Sequence, residues 1–164
     1  MPETQRERVP LVDSSELDTA TAFLGFARHC LIKKTDGLND EQLRRVLVES
    51  GTSLLGLIQH SVVGERYWFG YQLLGVGEAD DFDFTMVLPP ERSTADVLQA
   101  YRDAIEESDA AIRRIGDPEA LSARPIVDQP LSLRWVLAHM TSETARHAGH
   151  ADIIREQIDN VTGR

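Results

Sequence analysis

The stretch Ser132-Leu133-Arg134-Trp135-Val136-Leu137-Ala138-His139-Met140 decides the fold. Ser132 is a helix-capping residue, and behind it Leu133, Val136, Leu137 and Met140 recur at three- and four-residue intervals. The stripe continues through Thr144, Ala151, Ile154 and Ile158, so the spacing predicts one long amphipathic helix whose apolar face must pack on other helices.

Outward from it the chain repeats the pattern. Ser93 with Asp96 opens a helix with apolar positions Val97, Leu98, Tyr101, Ala104, Ile105, Ile112 and Ile115, closed by Gly116-Asp117-Pro118. Gly51-Thr52-Ser53 leads into Leu54, Leu57, Ile58, Val62, Trp68 and Leu73, a helix of roughly twenty residues by period counting, ending at Gly75-Val76-Gly77. Asn39 caps a short helix that carries Leu43, Val46 and Leu47, with Gln42 reaching back. Asp13 with Glu16 forms a capping-box pattern ahead of Leu17, Thr21, Leu24, Arg28 and Leu31, and Thr35-Asp36-Gly37 stops that helix. Met86-Val87-Leu88 and Pro125-Ile126-Val127 suit short extended pieces, but nothing requires a sheet. The expectation is an all-α four-helix bundle with one short extra helix, residues 1–164 forming a single domain.

The 164 residues carry 17 Lys plus Arg against 27 Asp plus Glu, a formal net charge of −10. So acidic a surface repels phosphate backbones and anionic lipid, and no Lys/Arg block offsets it; neither nucleic acid nor a membrane is an expected partner. With no span, no signal peptide and one cysteine, Cys30, the reading is a cytoplasmic protein without an internal disulfide. Cys30 sits in an apolar helical stretch and reads as a packing thiol.

Chemistry then falls to histidines and carboxylates. Of five histidines, His139, His147 and His150 lie in the last helix with Glu143 among them. Positions 139, 143 and 147 are four-residue steps, each turning about 40° further around the helix, so they form one drifting stripe beside the apolar face. Imidazoles and a carboxylate turned toward a core need a shared partner. A divalent metal is one: Glu143 and His147 can reach the same ion, with His60 as a third ligand from a facing helix. The competing reading makes His60 a histidine bonded to a backbone carbonyl and Glu143–His147 an ordinary i,i+4 pair. Glu78–Pro90, with its Asp80-Asp81-Phe82-Asp83-Phe84 run, is either a flap over a site or a solvated connection. Tyr67, Trp68 and Trp135 either line a pocket or fill the core, Trp135 reading as core.

Leu54-Leu55-Gly56-Leu57-Ile58-Gln59-His60, Glu65-Arg66-Tyr67-Trp68-Phe69, the Leu131–Met140 stretch and Glu143-Thr144-Ala145-Arg146-His147-Ala148-Gly149-His150 together resemble the DinB superfamily, in its branch of small actinobacterial proteins. The resemblance implies a four-helix bundle, commonly a homodimer, with a metal held by His60, Glu143 and His147. Glu143 departs from the relatives that use three histidines. It is similar instead to the thiol-dependent branch that includes mycothiol-dependent maleylpyruvate isomerase, whose additional C-terminal domain has no counterpart in these residues.

Three ligands leave a coordination position open, which suits catalysis. The expectation is therefore a zinc- or nickel-dependent transferase acting on a small-molecule substrate through a low-molecular-weight thiol of mycothiol type. A metal- or ligand-binding homodimer with a stress-response role is the alternative. His150 and Arg155 are the candidate catalytic residues, His150 for proton movement and Arg155, with Arg146, as a clamp for a substrate anion. His139 is a further candidate for proton movement. The bland readings are solvated histidines, and arginines paired with Asp152 or Glu156.

Overall fold

The computed structural model describes residues 7–163. It contains α1 (Glu16–Lys33), α2 (Asp40–Arg44), α3 (Leu54–Glu65), α4 (Thr94–Ile115) and α5 (Leu133–Asp159), with α3 continued by eight π-helical residues, Arg66–Leu73. Among the described residues there is no strand; isolated bridges join Leu121 with Ser132 and Ile126 with Gln129.

Local chemistry sets most helix ends. Ser53, Ser93 and Ser132 each accept a hydrogen bond from a first-turn N–H, and Asn39 with Gln42 completes a reciprocal capping box. Gly116 ends α4 at φ 65°, a left-handed conformation that a side chain disfavours. Two expectations need correction. The cap of α1 is Ser15, whose hydroxyl accepts from the Asp18 N–H, and Asp13 stays outside the helix. The short helix stops at Arg44 because Arg45 is extended, which leaves Val46 and Leu47 exposed.

Packing fixes the direction of each helix. Leu24 shares a core cluster with Val136 and Met140, and Leu31 shares the other with Ala151 and Ile154, so α1 and α5 run parallel. Leu57 and Ile58 pack with Val97 and Tyr101 while Leu73 packs with Ile112, so α3 and α4 are parallel too. The pairs oppose one another: Trp68 meets Trp135 and His60 meets His147. Parallel neighbours cannot be joined by a tight turn. Residues 74–93 therefore return along the whole of α3, laying Phe82 on Tyr71, Phe84 on Tyr67 and His60, and the Met86 carbonyl against Gly56.

Between the pairs lies a buried ion cluster. The Arg28 guanidinium forks onto Glu65, with Nε donating at 2.7 Å and Nη2 at 2.5 Å, while Nη1 reaches Asp109 at 2.7 Å. Arg28 and Glu65 are 2% and 0% exposed, a burial tolerable only because the pair is bidentate and doubly bonded. Cys30 is buried as expected, and burial pushes its thiol pKa up, away from reactivity.

Candidate metal centre

The π-helical run holds three consecutive aromatics, Tyr67, Trp68 and Phe69, and its wider turn sends them to different surroundings. Phe69 enters the core, Tyr67 meets Phe82 and Phe84 of the crossover, and Trp68 turns toward α5. Between α3 and α5 this leaves a cavity of about 310 Å3 lined by His60, Trp68, Phe84, His139, Glu143 and His147, with Met140 and Thr144 also on its wall. The stripe at 139, 143 and 147 thus faces His60 across one space.

The crossover does more than connect. His60 Nδ1 lies 2.8 Å from the carbonyl oxygen of Phe84. A carbonyl only accepts, so Nδ1 is the donor and the lone pair of the neutral ring sits on Nε2. His60 and His147 are in edge contact, ring centroids 4.9 Å apart. Burial, then the neighbouring His60, holds the His147 pKa down at about 4 against the pull of Glu143, so near neutral pH it is an uncharged imidazole. Its Nδ1 is buried without a hydrogen-bond partner.

Glu143 is shared unevenly. Its Oε2 is 2.8 Å from Arg146 and 3.8 Å from His147 Nε2. Among the described residues no three His, Cys, Asp or Glu side chains are close enough to hold an ion as they stand, and Glu143 Oε2 is engaged by Arg146.

The other candidates separate. His139 is on the cavity wall, sandwiched by Trp68 at 4.4 Å and by Trp135, stacked at 5.0 Å and 7°, and burial lowers its pKa. Trp135, expected in the core, is 38% exposed: it covers the outer side of His139. His150 is exposed, its ring 6.0 Å from that of His147, and does not line the cavity. Arg155 is not brought to the cavity. It is buried at the far end of α5, donating to the Lys34 and Asp36 carbonyls and paired with Asp159 rather than Asp152 or Glu156. Phe84 was legible only as part of an aromatic and acidic run; its contribution is a main-chain oxygen, which no side-chain pattern announces.

The bundle's facing helices bring imidazoles and a carboxylate into one cavity, and the family match over most of the chain makes it a DinB-like protein. More narrowly, the chain belongs to the mycothiol-S-transferase family, whose model matches residues 19–160. No curated protein matches it. Among the described residues no helix is long and apolar enough to cross a membrane.

Proposed function

We propose that this chain is a divalent-metal-dependent transferase that joins a low-molecular-weight thiol of mycothiol type to a small electrophile, with His60, Glu143 and His147 holding the ion. The observation that carries the reading is the meeting of these three side chains at one cavity, in a chain of the mycothiol-S-transferase family. The donor set fits zinc or nickel: two neutral imidazole nitrogens and a carboxylate. His60 is already oriented by the Phe84 carbonyl in the manner of a ligating histidine, and His147 has a buried nitrogen with no protein partner. Closing the set requires Glu143 to leave Arg146, an exposed partner whose loss costs little.

A bound ion supplies the positive charge that lowers the pKa of a thiol and favours its thiolate. The chain supplies the rest. Burial keeps His147 unprotonated, and Trp68, Phe84 and Met140 make part of the cavity wall apolar. Arg146, bonded to Glu143 on the cavity wall, is a cation available to an anionic group once Glu143 turns to the ion. His150, exposed one turn beyond His147, passes the thiol proton to solvent, while Arg155 stays tied to the end of α1. The reading also takes the protein as a single-domain cytoplasmic homodimer.

Elemental analysis of the purified protein, paired with thiol consumption in the presence of a haloalkyl electrophile, tests it. Wild type should carry a stoichiometric transition metal and consume thiol. His60→Ala and His147→Ala should lose both at unchanged helix content. Metal-free, inactive wild type sinks the proposal, and metal without turnover across several thiols moves the protein to the binding role.

A further inference from the structure

A larger cavity, of about 590 Å3, lies on the opposite side of α3 from the metal centre, between the π-helical run, α4 and the start of the crossover. The two cavities share no lining residue. Its size is within the range of small-molecule sites, and Val62, Val63, Phe69, Leu74, Phe82 and Ala111 make most of its wall apolar.

The charged groups on that wall are not equivalent. Glu65 is neutralised by Arg28, Arg66 and Glu107 pair with each other at 3.2 Å, and the Asp81 carboxylate accepts from the Glu78 N–H. Arg92 is different. It is half-buried, and among the described residues its guanidinium has no carboxylate or carbonyl partner, although the chain carries ten more acidic than basic side chains. Its own carbonyl is taken by Arg44, which places a second cation close to it. Of the cations on the wall, Arg92 is therefore the one without an acidic partner among the described residues, while Arg66 is paired with Glu107. Gln59 adds an unmet acceptor: it lines the same cavity, and its Oε1 is buried without a donor.

We propose that this cavity is a second ligand site, selective for an apolar carboxylate that also carries an N–H or O–H donor, the chemistry of an N-acyl amino acid or a hydroxy acid. The carboxylate pairs with Arg92, the donor meets Gln59 Oε1, and the apolar body fills the space over Phe69 and Phe82. Charge-assisted bonding to a half-buried guanidinium gives preference for the acid over its ester, and the buried amide oxygen gives preference for a ligand with a donor.

Isothermal titration calorimetry on the full chain, with N-octanoylglycine and its methyl ester as probes, tests this site without reference to turnover. The acid should bind at least about tenfold more tightly than the ester. Arg92→Ala should erase that preference, Arg92→Lys should restore part of it, and Gln59→Leu should weaken both probes alike. His60→Ala should bind as wild type does, so the outcome is independent of the metal centre. Equal binding of acid and ester, no binding of either, a preference that survives Arg92→Ala in a variant of unchanged helix content, or loss of binding in His60→Ala would each overturn the proposal.

Discussion

At Gly56 the crossover lies tight against α3: a Cβ there would stand 2.5 Å from the carbonyl oxygen of Met86. The obstacle is backbone and cannot rotate away, so a side chain at 56 must lift the crossover, and the Phe84 carbonyl that orients His60 lies on the same segment. Gly56→Ala should lower unfolding free energy by about 1–3 kcal/mol, as overpacking does. It should also weaken metal retention. Gly25→Ala is the control, since no atom lies within 4 Å of the added carbon, and there the helix should gain about 0.5–1 kcal/mol. Equal effects in urea titrations of the two variants would deny the crossover its positioning role. At this scale the gathering of His60, Glu143 and His147 at one cavity was readable, since four-residue spacing puts 143 and 147 on one stripe of the last helix. What they bond to was not: a carbonyl at Phe84 and a competing Arg146 depend on chain direction and side-chain reach.

Among the elements, the contact of α1, α3 and α4 is governed by Arg28, Glu65 and Asp109. Arg28→Ala strands a fully buried carboxylate and should cost about 3–5 kcal/mol in chemical denaturation. The double variant Arg28→Met/Glu65→Met should recover most of that loss, because the desolvation of both charges disappears with them. A double variant no better than the single one would show that the pair contributes net stability. Helix existence and the caps other than that of α1 were legible because they are local: Asn39, Ser53, Ser93, Ser132 and Gly116 each act within one turn. The π-helical widening at Arg66–Leu73 was not, since an apolar period near 3.6 persists through it. Nor was the pairing of Arg28, which in sequence only occupied an apolar stripe.

For the molecule as a whole, α5 is fastened to the end of α1 by Arg155, which bonds the Lys34 and Asp36 carbonyls and pairs with Asp159. Partial burial works to raise the Asp159 pKa, but its hydrogen bonds from Arg155 and the Val161 N–H win and hold it below the usual value. A carboxyl with a depressed folded pKa binds fewer protons folded than unfolded. Its contribution is therefore complete above about pH 4 and is lost as pH falls through the folded value. Asp159→Asn should lower stability near neutral pH by about 1–2 kcal/mol and flatten the acid limb of a stability–pH profile. An unchanged acid limb would remove Asp159 from the account. The directions of the helices, parallel in two pairs, were beyond local reading because they follow from which apolar faces fit together.

The two parallel pairs also set an order of assembly. The Arg155 bonds to Lys34 and Asp36 close loops of 121 and 119 residues, so α1 must wait for the last helix before its own end is tied. During synthesis α3, with His60 and the returning strap beside it, is complete while Glu143 and His147 are still to be made. Any ligand that needs His60 together with Glu143 and His147 would therefore be held only once α5 has docked on α3.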